Sequence, residues 1–195
     1  TIPSFSGQNS GNTPITANVT ITPSYTNAST SCTGSPQTMT FTVNPTPSVV
    51  DPSDLISCNG GTVSSTVFQG TGTSYTWTNN LTSIGLSASG TGNINSFTAV
   101  NTSNAPILST INLTPVFTLN GVTCFGTNQQ FNIVVNPTPN VSDPVDQLVC
   151  NGGATSPVNF IGTGTGYNWT NTIPSIGLSA IGSGNIPAFT AQNTT

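Results

Sequence analysis

The side chains able to do chemistry in this sequence are few, and their spacing narrows what that chemistry is. Across 195 residues there is no Lys, Arg or His, and the acidic residues number four, all aspartate. They occur as two copies of Asp-Pro-x-Asp, Asp51 with Asp54 and Asp143 with Asp146. Carboxylate pairs are candidate calcium ligands, since Ca²⁺ takes several oxygens, and an ion at each motif would stiffen the link between two domains. An aspartate before proline is also an ordinary turn residue. Glycoside hydrolysis by a carboxylate pair needs an acid with a shifted pKa inside a cleft, which a linker motif rarely supplies. Without His, Lys, Arg or Glu, the usual general bases, electrophiles and oxyanion clamps are missing. The sequence therefore reads as non-catalytic, without a catalytic residue, and calcium at the domain junctions is the cofactor its carboxylates suggest.

Trp77 and Trp169 each follow a tyrosine by two residues, a pattern open to carbohydrate stacking. Alternation along a strand puts the Tyr and the Trp on one face, and a β-sandwich needs a large aromatic in its core, which is the preferred reading. Phe68, Phe97, Phe117 and Phe131 are expected in the core as well.

What must position these residues is set by an internal repeat. Val43-Asn44-Pro45-Thr46-Pro47 returns as Val135-Asn136-Pro137-Thr138-Pro139, Cys32 as Cys124, Cys58 as Cys150, Trp77 as Trp169 and Phe97 as Phe189, always 92 residues on (135 less 43). Aligning 51–103 with 143–195 gives 32 identities in 53 positions without a gap. Such a period is too long for a helical solenoid and suits an immunoglobulin-sized sandwich. Residues 1–47 are then expected to be the C-terminal part of one repeat, 48–139 a complete repeat, and 140–195 the N-terminal part of the next. The window is expected to be a segment of a much longer array.

Within the complete repeat the periodicity is two throughout. Ile111, Leu113, Pro115, Phe117 and Leu119 alternate, Asn120-Gly121 follows as a type I′ turn, and Phe131, Ile133 and Val135 alternate again. Shorter strands are expected around Leu55 to Cys58, Ser65 to Phe68, Tyr75 to Thr78, Ile84 to Ala88 and Ile94 to Val100, divided by glycine-rich turns including Ser89 to Gly92. The fold class is all-β: tandem immunoglobulin-like sandwiches of about seven strands each. Two prolines within three residues make each junction a semi-rigid spacer.

Were the chain extracellular, as the family resemblance given below implies, its cysteines would be expected to form disulfides, with free or otherwise paired thiols the remaining alternative; without CxxC spacing or histidine a zinc site is not expected. Two pairings respect the repeat. One joins Cys58 to Cys124 inside one unit; the other joins Cys32 to Cys58 and Cys124 to Cys150 across junctions. The first is favoured because Cys58 and Cys124 are placed near the starts of the first and last strands, which run parallel in an immunoglobulin-like sandwich. Closing that loop would stabilise the unit by roughly 4 kcal/mol. Cys32 and Cys150 would then pair with repeats outside the window.

Together the Val-Asn-Pro-Thr-Pro junctions, Cys-Asn-Gly-Gly, Tyr-x-Trp-Thr-Asn, Ser-Ile-Gly-Leu-Ser-Ala and the late Val-Thr-Cys at Val122 resemble the PKD-like repeats of giant Bacteroidota cell-surface adhesins, including those of gliding motility. The resemblance implies an extracellular location at the cell surface and a structural role in a filament stalk. Its partners would be neighbouring repeats of the same chain, other copies of the filament, and a surface or glycan ligand bound through parts outside the window. A laterally self-assembling fibre is the first alternative, because long uncharged strand edges invite pairing; a carbohydrate-binding module is the second. Nucleic acid is not an expected partner, since phosphate binding relies on Lys and Arg. Membrane insertion is not expected either, since no apolar run approaches about 20 residues.

Overall fold

Apolar residues at every second position dictate strands, and the computed structural model, which describes residues 2–193, is accordingly all-β. The N-terminal part holds β1 (Ile15–Ile21), β2 (Ser24–Asn27), β3 (Thr30–Thr33) and β4 (Gln37–Val43). The central part holds β5 (Leu55–Cys58), β6 (Thr62–Val63), β7 (Ser74–Asn79), β8 (Ser89–Thr91), β9 (Phe97–Thr98), β10 (Ile107–Leu119), β11 (Val122–Phe125) and β12 (Gln129–Asn136). The C-terminal part holds β13 (Asn168–Thr170) and β14 (Ile181–Ser183).

The central strands form an immunoglobulin-like sandwich. One layer is a sheet in the order β5-β12-β10-β7-β8, with β11 also paired to β10. The facing layer pairs β6 with β9 and is extended by bridges from Val49 to Gly70 and from Thr66 to Ile94. Ile111, Leu113, Phe131, Ile133 and Val135 on the inner face of the first layer meet Val49, Val63, Phe68 and Ile94 of the second. Alternation puts all five of the first group on one side of adjacent strands, so burying them leaves the intervening polar residues outward. The expected hairpin forms between β10 and β11, with φ of 51° at Asn120 and 78° at Gly121. Both central residues are left-handed, as a type I′ turn requires.

Three expectations change in detail. The expected strand from Ser65 to Phe68 is only an isolated bridge at Thr66, with β6 lying before it. The expected strand from Ile84 to Ala88 is instead a 3₁₀ turn at Thr82–Ile84, closed by Gly85 at φ 95°. Alternation of Ile84 and Leu86 reflects burial of a looped segment rather than sheet pairing. The expected turn at Ser89 to Gly92 contains β8, which pairs with β7 through Trp77 and Gly90.

β5 runs parallel to β12, from Leu55 opposite Ile133 to Cys58 opposite Asn136. The chain therefore enters the unit at one end of the sheet and leaves at the other, called lower and upper below. At the lower end the β10–β11 hairpin reaches past the start of β12 and grips the junction. Pro45 and Pro47 are buried there, Asn44 Nδ2 donates to Val122 O at 3.4 Å, and a Cβ built at Gly126 would lie 1.8 Å from the Pro47 carbonyl oxygen. The junction is packed against the following unit, which makes it stiffer than a free polyproline spacer.

The flanking parts repeat complementary halves of this sandwich. β1 pairs with β4 from Ile15 opposite Val43 to Ile21 opposite Gln37, repeating the β10–β12 hairpin. In the C-terminal part, β13 pairs with β14 and bridges join Ala154 to Thr190 and Val158 to Ile186, repeating β7–β8 and part of the second layer. Each half exposes the face that the central unit buries.

Candidate functional site

Of the four aspartates, Asp54 is the one tied into the central sheet by hydrogen bonds. Asp54 Oδ1 accepts the Asn132 backbone N–H at 2.7 Å and Oδ2 accepts Asn132 Nδ2 at 3.4 Å. This carboxylate lies just before β5 and extends the β5–β12 pairing by a side-chain rung. Asp51, Asp143 and Asp146 are exposed. Among the described residues no group of three or more His, Cys, Asp or Glu converges as a metal cage, so Asp51 with Asp54 and Asp143 with Asp146 are at most pairs of carboxylates.

The cysteine geometry differs from the favoured expectation. All four thiols are free in this structure. Cys58 ends β5 and stands level with Asn136 at the upper end, whereas Cys124 is paired with Phe117 at the lower end. Because Val135 lies opposite Ile107, the two levels are separated by roughly 35 Å of strand, and a disulfide needs Cα atoms within about 7 Å. The expectation failed because Cys58 closes its strand rather than opening it. Cys124 belongs to the overhanging hairpin, not to β12. The alternative pairing within one chain fails for the same reason, since Cys32, paired with Tyr25 on the N-terminal hairpin, lies one repeat below Cys124.

Trp77 is in the core, as are Phe68, Phe117 and Phe131, while Phe97 packs partly buried against it. The Trp77 indole N–H has no hydrogen-bond partner, and neither does that of Trp169. A glycan cannot stack on a ring held between two sheet layers.

What the sequence reading missed is a set of buried amides. Asn79 Nδ2 donates to the carbonyls of Leu81, Leu86 and Ser87, and its Oδ1 accepts from Leu81 N and from Ser109 Oγ. Asn101 Nδ2 donates to Ala105 O at 2.9 Å and Val135 O at 2.7 Å, while its Oδ1 accepts from Ser103. Each amide satisfies backbone groups that loops leave unpaired in the interior. The recurrence of Asn79 as Asn171 and of Asn101 as Asn9 was the available signal, hidden in a chain rich in surface Asn.

The grooves of the structure follow the open halves. One of about 410 Å³ runs between Phe5, Ile15, Val19 and Phe41, and one of about 460 Å³ lies between Leu148, Ile176, Leu178 and Phe189. A third, of about 730 Å³, lies at the lower junction between Val43, Asn44 and Cys124. Comparison with protein-family models and with curated proteins finds no match.

Proposed function

We propose that the chain is a force-bearing segment of an extracellular filament shaft, the stalk of a surface adhesin, and that it is not an enzyme. The observation that carries this reading is the parallel pairing of β5 with β12, the first and last strands of the central unit's sheet. Tension applied through the two junctions pulls these neighbours in opposite directions along their axes. The hydrogen bonds between them are then loaded together, in shear, instead of one after another. The Asp54 rung to Asn132 adds to the same clamp. Burial of Pro45 and Pro47 against the next unit favours transmission of load without slack.

The sparse charge suits a role that recruits neither nucleic acid nor an anionic membrane surface. Electron cryo-microscopy of the native material tests the reading. Domains in single file, each clasping the junction before it, are expected; broad lateral packing with more than about 1,000 Å² buried between chains would replace the shaft with a sheet or bundle.

A further inference from the structure

Asn-Gly occurs three times, at Asn59-Gly60, Asn120-Gly121 and Asn151-Gly152, and the fold treats the copies differently. We propose that Asn120-Gly121 is a self-modifying site: the dipeptide at the tip of the β10–β11 hairpin converts spontaneously to an isoaspartyl or aspartyl linkage, while the other two are held unreactive. This rests on the geometry of the three turns alone, so its failure leaves the shaft reading standing.

The chemistry belongs to the dipeptide and needs no enzyme. The glycine backbone nitrogen, having lost its proton, attacks Cγ of the preceding asparagine. A C–N bond forms, the side-chain nitrogen leaves as ammonia, and a cyclic succinimide remains. Water then opens the ring at either carbonyl, giving aspartate or, where the main chain is left running through Cβ, isoaspartate; no electrons are transferred. Glycine permits the attack because it has no Cβ to crowd it. Two conditions are left to the fold: the glycine N–H must be unengaged, and the asparagine amide must be free to swing over it.

Both conditions fail at Asn59 and Asn151. Gly60 N–H donates to Ala99 O at 2.8 Å, while Asn59 Oδ1 accepts the Asn101 N–H and its Nδ2 donates to Thr138 Oγ1. The later copy repeats the arrangement: Gly152 N–H donates to Ala191 O at 2.8 Å, and Asn151 Oδ1 accepts the Asn193 N–H. Attack there breaks one hydrogen bond on the nucleophile and at least another on the amide.

Both conditions are met at Asn120. Among the described residues neither its side chain nor the Gly121 N–H makes a hydrogen bond, and both residues are exposed. Ring closure requires the turn to leave its left-handed geometry, and the rung that must fray for this is the Leu119–Val122 pair. A positive φ of 51° at Asn120 is unfavourable for a residue with a Cβ. Fraying of an exposed hairpin tip lies at the low end of local opening free energies.

Conversion acts on the grip that this hairpin exerts on the lower junction. A two-residue loop fixes its turn type, and isoaspartate adds a backbone carbon to it. The Leu119–Val122 rung is then lost, and the Val122 carbonyl shifts from Asn44 Nδ2, which donates to it at 3.4 Å in the unmodified hairpin. Either product adds a carboxylate to a chain of formal charge −4 with no Lys, Arg or His to pair it. The junction therefore loosens as the material ages, and faster at higher pH, since the reaction begins with loss of the amide proton.

The test is ageing of the purified chain in ¹⁸O-labelled water at neutral and mildly alkaline pH, followed by chymotryptic peptide mapping, with a parallel sample in urea. In the folded chain Asn120 should take up label at least about tenfold faster than Asn59 or Asn151, because the hairpin tip frays before the sandwich opens. Isoaspartate should predominate, and the rate should rise with pH. In urea the three sites should convert at similar rates. Amide hydrogen exchange at Val122 should accelerate in the converted fraction. Equal rates at the three sites of the folded chain, or an intact Asn120 over a period in which the urea sample converts, overturns the proposal. Conversion that leaves exchange at Val122 unchanged overturns the loosening of the junction.

Discussion

Gly90 stands directly opposite Trp77 across the β7–β8 pair, and a Cβ built on it would come within 2.2 Å of Trp77 Cζ2. The relationship recurs as Gly182 against Trp169, at 1.9 Å. The indole lies over a glycine because no other residue leaves room, so Gly90→Ala must displace either the ring or β8. Overpacking of this kind costs about 1–3 kcal/mol, and urea unfolding should show that loss. Trp77→Ala should cost about 3–5 kcal/mol through the cavity it leaves. Trp77→Phe should cost clearly less, because it also removes an indole N–H that has no partner.

Asn79 holds the looped segment between β7 and β8 by bonding three carbonyls with one amide. Asn79→Ala leaves those groups buried and unpaired, for an expected loss of about 2–4 kcal/mol. Ser109→Ala removes a single partner and should cost about 1 kcal/mol. Residue 17, the equivalent of Ser109 in the N-terminal hairpin, is alanine. Denaturant midpoints of the two variants separate these effects, and equal losses would contradict the assignment.

Cys58 and Cys124 lie at opposite ends of the sheet and are free. Replacing both with serine should leave the unfolding free energy of the monomeric chain unchanged within about 0.5 kcal/mol, the usual range for surface changes. Loss of an internal disulfide closing a loop of this size would instead cost roughly 4 kcal/mol.

Asp54 spends both carboxylate oxygens on Asn132. Calcium is therefore expected to add little, and Tm in millimolar Ca²⁺ should match Tm in a chelator. A rise of several degrees on adding Ca²⁺ would restore the junction-ion reading of Asp51 and Asp54. Asp54→Ala should lower equilibrium stability by about 1.5–3 kcal/mol, the usual range for a hydrogen bond to a charged group.

The fold was legible because its signals are local and repeated. Alternation in Ile111 to Leu119, the Asn120-Gly121 turn and the 92-residue spacing each bear on the chain directly. The cysteine levels were not legible, because they depend on where a strand ends against its neighbour. Cys58 at the start or at the end of the four-residue β5 gives the same alternation, and Cys124 on the overhanging hairpin instead of on β12 carries the two thiols to opposite ends. The segment Ile84 to Leu86 misled for a related reason. Burial of every second residue marks an inward face, and only the Asn79 amide and Gly85 decide that the backbone loops instead of pairing. The grip of the β10–β11 hairpin on Pro47 was likewise invisible, since it is a contact between residues of adjacent repeats.

The shaft reading rests on shear loading of β5 against β12, and single-molecule force spectroscopy reaches it most directly. With handles beyond the two junctions, the central unit should rupture in one step and release about 270 Å, the contour length of residues 55–136 less their short folded span. With handles at Asn59 and Thr138, both at the upper end, the same strands peel apart bond by bond. The account predicts a markedly higher rupture force in the first geometry, reduced by Asp54→Ala. Equal forces in the two geometries would contradict it.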